Sequence, residues 1–118
     1  MKKKHNFREL QIWKESMSLV KKVYVLTSTL PSDERFGLIS QINRCSISIP
    51  SNIAEGSGRT TEKEFSRYLE ISMSSSYELE TQLILVSDLF EIKTTEIIEE
   101  LKTIQNKIGA FKRTLTIE

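Results

Sequence analysis

Apolar residues recur at steps of three and four along most of the chain, the spacing of one face of an α-helix. The stretch from Phe36 to Gly56 stands apart. Between Phe36 and Ala54 it carries one charged residue, Arg44. On a helix, Ile39, Ile42, Ile49 and Ile53 share one face, with Ser46 in the gap; Phe36, Ile47 and Ala54 form a second, and Leu38 and Cys45 a third. A helix apolar nearly all round is a buried one, so the pattern predicts the central helix of an all-α domain.

The remaining helices are predicted by the same reading. Helix one carries two apolar rows about 100° apart on a helical wheel: Leu10, Trp13, Met17, Val20 and Tyr24, and then Ile12, Leu19, Val23, Leu26 and Leu30. In helix three Phe65, Leu69, Ser72, Ser76, Leu79, Leu83, Val86 and Phe90 alternate steps of four and three. Helix four holds Ile97, Leu101, Ile104, Ile108, Phe111 and Leu115 in heptad register. Asn6 with Glu9 and Thr61 with Glu64 have the spacing of capping boxes. Ser32 and Thr94 or Thr95 are further expected caps. Pro31 disfavours helix at the residue before it, Pro50 is expected to kink or restart helix two, and Gly56 is expected as a left-handed cap. Residues 1–5 read as a flexible basic tail. Residues 6–118 read as one antiparallel up-down-up-down four-helix bundle, with helices over about 7–30, 33–56, 62–90 and 95–115.

The double row on helix one exceeds what a single bundle core covers. Burial against a second copy of the chain accounts for it, with Trp13, Leu19, Val23 and Leu26 as the expected interface. A helix lying on a membrane suits it less, since polar gaps and Tyr24 interrupt the arc.

Charge refines this picture. The chain has 118 residues and a formal net charge of +1, enough length for a core and no overall pull towards polyanions. Residues 1–30 hold seven Lys/Arg against two Glu, and residues 61–90 two against six Asp/Glu. Attraction between helices one and three, within or between subunits, is one reading of the imbalance. The other makes Lys2, Lys3, Lys4, Arg8, Lys14, Lys21 and Lys22 candidate phosphate contacts. The single cysteine, Cys45, excludes an intrachain disulfide and suits a cytoplasmic protein. The Met-Lys-Lys-Lys start lacks a following apolar segment, so no signal peptide is expected, and no apolar run is long enough to span a membrane.

Catalytic chemistry is sparsely supplied. His5 is the only histidine, which leaves nucleophilic triads and the Glu-x-x-His sites of di-iron bundles without a ligand or base. Ser74 to Ser76 lack flanking glycines, and Gly56-Ser57-Gly58-Arg59 is too short for a phosphate loop. The reading is therefore no enzyme, no metal and no cofactor. Arg44 is expected to meet Glu78 or Glu80 in a structural polar cluster; the same residues are the alternative site for a small ligand or a metal.

The residues Phe36-Gly37-Leu38, Ser40-Gln41, Arg44 and Ser48-Ile49-Pro50-Ser51-Asn52-Ile53-Ala54-Glu55-Gly56 resemble the four-helix-bundle proteins encoded by intervening sequences of bacterial 23S rRNA genes. Phe7, Leu10, Ile12-Trp13, Phe65, Tyr68-Leu69, Ile71 and Glu78-Leu79-Glu80 extend the resemblance over nearly the whole chain. The resemblance implies an antiparallel bundle assembled as a barrel-like homopentamer, with no established activity. The family is similar to accessory proteins of diversity-generating retroelements, strongly basic pentamers that bind nucleic acid and a reverse transcriptase. The function expected by resemblance is an oligomeric scaffold or adaptor with RNA or a ribonucleoprotein as partner. This chain departs in its net charge of +1 and in Asn43, where many relatives carry a second arginine.

Overall fold

The computed structural model describes residues 5–116, in which four α-helices and no strand are found: α1 (Gln11–Thr27), α2 (Ser40–Ser57), α3 (Glu62–Phe90) and α4 (Thr95–Arg113). They form an antiparallel up-down-up-down bundle, each helix packing mainly on its neighbours in the order α1, α2, α3, α4 and back to α1. The bundle is elongated, 51 × 23 × 21 Å.

Local chemistry sets the helix ends. Asn6 caps a 3-10 turn at Phe7–Glu9 rather than α1 itself: its side chain accepts from the Arg8 N–H and donates to Glu9 Oε1. α1 follows from Leu10 without a side-chain cap. The chain leaves α1 at Thr27, four residues before Pro31. It re-enters helix through a 3-10 turn at Ser32–Glu34 and a π-helical turn at Arg35–Ile39, without a Ser32 cap. Thr61 Oγ1 accepts from the Glu64 N–H at 3.1 Å and opens α3. Glu91, with φ at 55°, closes it in the left-handed region. Thr94 precedes α4, but its hydroxyl donates to the Leu83 carbonyl at 3.2 Å and ties the α3–α4 turn to α3 instead of capping.

The core takes one row from each helix. Leu19 and Val23 of α1, Ile42, Ile49 and Ile53 of α2, Leu69, Leu79 and Leu83 of α3, and Leu101, Ile104 and Ile108 of α4 are fully buried or nearly so. Each such side chain contributes roughly 1.5–3 kcal/mol of burial free energy. Small residues let α2 and α3 approach closely: Ser72 Oγ donates to the Ile49 carbonyl at 2.9 Å. Pro50 lies inside α2, buried, and the helix runs through it to Ser57. Among the described residues no glycine has a positive φ, so Gly56 is not a left-handed cap. It is needed for space. A Cβ there would stand 2.7 Å from Tyr68 Cβ and 2.8 Å from Phe65 Cδ1.

Two sequence expectations are corrected here. His5, assigned to the tail, is half-buried. Its Nε2 lies 3.2 Å from Glu62 Oε2, and its ring meets Phe65 and Phe111 edge-on. Within one chain the charges of α1 do not face those of α3, which lies diagonally across the bundle. Lys22 pairs with Glu100 at 2.8 Å and Glu15 with Lys107 at 2.7 Å, both on α4.

Candidate functional site

Arg44 was expected inside the bundle because it is the lone charge of an apolar stretch. The structure places it on the exposed outer ridge of α2, with no ion pair among the described residues. Its turn of helix points away from both neighbours, since Ile42 and Ile49 take the core-facing side and Asn43 the side towards α1. The ridge separates two grooves.

On the α3 side, Arg44 and Glu78 line a polar groove of about 400 Å³ together with Gln41, Cys45, Ser48 and Ser75. Its floor is a hydrogen-bonded set. Asn52 Nδ2 donates to Ser48 Oγ at 2.9 Å, and Ser48 Oγ lies 2.8 Å from Ser75 Oγ. The Cys45 thiol donates to the Ser75 carbonyl at 3.4 Å. Burial, reinforced by the Glu78 carboxylate beside it, pushes that thiol up to about 12. Such a thiol stays protonated at neutral pH and is a poor nucleophile. Glu80, grouped with Arg44 and Glu78 from sequence, sits on the opposite flank of α3 and accepts from Gln105 Nε2 of α4 at 3.0 Å. Arg44 and Glu78 thus share a site that Glu80 does not. Among the described residues no three His, Cys, Asp or Glu side chains are clustered to hold a metal ion.

On the α1 side the surface is apolar. Phe36 is 90% exposed, Tyr24 43% and Ile47 42%, and with Ile39 they line a shallow groove of about 540 Å³ that reaches Arg44. Met17 of α1 is exposed on the same side. Of the interface residues expected from sequence, Leu19 and Val23 are wholly spent inside the bundle, and Trp13 and Leu26 pack partly buried against its core. In the other row Met17 and Tyr24 stand exposed, joined by Phe36 and Ile47. The spacing of both rows was visible in the sequence; which of them faced the core was not.

The basic residues are scattered. Lys22 is committed to Glu100. The Arg8 guanidinium lies 5.2 Å from the Phe7 ring centroid. Lys14 and Lys21 are exposed on α1, and Lys2, Lys3 and Lys4 lie outside the described residues. Asn43 turns inward, its Oδ1 accepting from Thr27 Oγ1 at 3.0 Å.

The remaining motif residues have structural roles. Pro50 packs in the bundle, Ser48 bridges to Ser75 of α3 while Asn52 donates to Ser48, and Gly56 admits Tyr68. Gly37, Ser40, Gln41, Ser51 and Glu55 lie exposed or half-exposed along α2 and the turn before it.

Comparison with known proteins follows the same outline. The profile of the 23S rRNA-intervening sequence protein family matches residues 8–112. A crystal structure of a protein of unknown function from the S23 ribosomal protein family of Bacteroides thetaiotaomicron superposes with a TM-score of 0.79. It has 21% sequence identity and covers 86% of this chain and 97% of that one. No curated protein matches.

Proposed function

This chain belongs to the 23S rRNA-intervening sequence protein family, and from that premise we propose that it is a non-catalytic scaffold that works as a homo-oligomer, a pentamer by family resemblance, in the cytoplasm. The observation that carries the reading is the apolar outer face of α1 and α2, where Tyr24, Phe36 and Ile47 stand in solvent on the isolated chain. Continuous apolar patches rimmed by polar residues mark protein interfaces. A complementary surface is available on the same molecule: Ile71, Leu85 and Leu89 are exposed along one row of α3 that also carries Glu78. A contact between two different faces closes into a ring when the rotation allows. Exposed Lys14 and Lys21 beside the first face and Glu78 on the second add charge complementarity.

RNA or a ribonucleoprotein is the partner class we assign to the assembled scaffold, with Arg8, Lys14 and Lys21, exposed and outside any ion pair among the described residues, as the cations that meet phosphates. Fluorescence anisotropy with structured and single-stranded RNA tests it. Binding at low salt that weakens steeply towards physiological salt is expected, because each phosphate contact releases counterions. Absence of binding at low salt, or binding untouched in Lys14→Glu/Lys21→Glu, contradicts it.

A second reading, a small-ligand binder, is favoured by one observation: Arg44 and Glu78 line one open polar groove. Thermal shift with a panel of zwitterionic amino acids tests it. No stabilisation, or stabilisation retained by Arg44→Ala, removes this reading.

A further inference from the structure

Between α3 and α4, away from the faces described above, runs a third groove of about 470 Å³, within the roughly 300–1,000 Å³ of small-molecule sites. Its floor is apolar, made by Leu69, Met73 and Ile108. Three observations indicate what fits it.

Ser66 differs from every other buried serine in the described chain. Ser16, Ser46, Ser57, Ser72 and Ser76 each donate to a backbone carbonyl, those of Ile12, Asn43, Ala54, Ile49 and Met73. Ser66 is 5% exposed, makes no side-chain hydrogen bond among the described residues, and lines the groove. Its hydroxyl therefore opens into the groove, where an acceptor atom of a ligand can meet it.

The lip of the groove is cationic. Lys112 pairs with Glu70 across it at 3.4 Å. Arg113 has no carboxylate partner among the described residues, and its guanidinium folds back over Gly109, with Nη1 3.6 Å from where a Cβ on Gly109 would stand. The two cations against one carboxylate leave the lip one positive charge.

Gly109 is not needed by the packing. A Cβ there would meet Arg113 Nη1 at 3.6 Å and Met73 Cε at 3.9 Å, ordinary contacts. Glycine inside a helix costs roughly 0.5–1 kcal/mol relative to alanine, so this position gives up helix stability while keeping the groove wall open.

We propose that the α3–α4 groove binds a small amphipathic carboxylate, its apolar body on Leu69, Met73 and Ile108 and its head group held by Arg113 and Ser66. A guanidinium matches a carboxylate with two parallel N–H donors, and one net positive charge matches one negative head. The inference is independent of self-association and of the Arg44 groove.

The test is titration of the isotope-labelled full-length protein with octanoate, octanol and octylammonium, read by amide chemical shifts. Octanoate is expected to move the amides of Ser66, Met73 and Gly109; octylammonium is expected not to. Gly109→Leu fills the groove and abolishes the octanoate shifts. Arg113→Gln, a surface change that leaves folding intact, weakens octanoate by about tenfold, the effect of losing one charge-assisted hydrogen-bonded pair, and leaves octanol unchanged. Absence of octanoate shifts at these residues overturns the proposal. So do equal shifts from octanoate and octylammonium, or unchanged octanoate affinity in Arg113→Gln.

Discussion

Gly56 and Tyr68 meet so closely that a Cβ on the glycine would stand 2.7 Å from Tyr68 Cβ. This contact fixes how near the end of α2 comes to the start of α3, and Phe65 holds the other side at 2.8 Å. Neither neighbour yields easily, because Phe65 is buried and a Cβ atom is tied to its backbone. Gly56→Ala is expected to destabilise the protein by about 1–3 kcal/mol, the cost of overpacking a close-packed core. The midpoint of urea unfolding measures it; a midpoint equal to wild type would mean that α2 and α3 separate freely.

Arg44 and Asn52 make an opposed pair of predictions. A buried Arg44 paired with a carboxylate would cost about 3–5 kcal/mol on truncation. Exposed on its ridge, it is expected to change stability by no more than about 0.5 kcal/mol as Arg44→Ala. Asn52→Ala removes the donor to Ser48 Oγ and to the Ser48 carbonyl and is expected to cost about 1 kcal/mol. Thermal unfolding of both variants decides: a larger loss for Arg44→Ala than for Asn52→Ala contradicts the exposed placement.

Much of the fold is legible in the sequence, for identifiable reasons. The heptad of α4 and the Thr61–Glu64 box of α3 are local signals, and the helices follow them. The site is less legible because it depends on which row faces which neighbour. A row that covers another subunit reads like a row that fills a core, so Leu19 and Val23 looked as available as Met17 and Tyr24. Arg44 misleads for a related reason. The poverty of charge around it suggested burial, yet the outer face of α2 is uncharged and open, with Ile47 and Ser51 exposed beside it. Ser66 carried no sequence signal, and Ser75 stood out only as part of the Ser74–Ser76 run, since the register of α3 against α2 and α4 is a long-range property.

The ion pair between α1 and α4 gives a pH dependence. The Lys107 ammonium, 2.7 Å from Glu15 Oε2, holds the Glu15 carboxyl below its usual range, helped by the Gln11 amide. A carboxyl with a lowered folded pKa contributes stability above its unfolded value and loses it as pH falls through the folded value. Both side chains are partly exposed, so the contribution is expected to be about 0.2–1 kcal/mol. Lys107→Met should therefore lower the urea midpoint near neutral pH and leave little difference from wild type near about pH 3. A gap that stays constant or widens in acid contradicts the assignment.

Self-association through the outer face of α1 and α2 is the central claim, and the mass of the protein in solution tests it most directly. Native mass spectrometry or light scattering at micromolar concentration is expected to give a pentamer of the 13.6 kDa chain. Tyr24→Glu/Ile47→Glu, which places two carboxylates on the exposed face without touching the core, is expected to give a folded monomer by circular dichroism and mass. A dimer or tetramer would contradict the stoichiometry. A folded wild-type monomer of 13.6 kDa, or a double variant that assembles like wild type, would contradict the account itself.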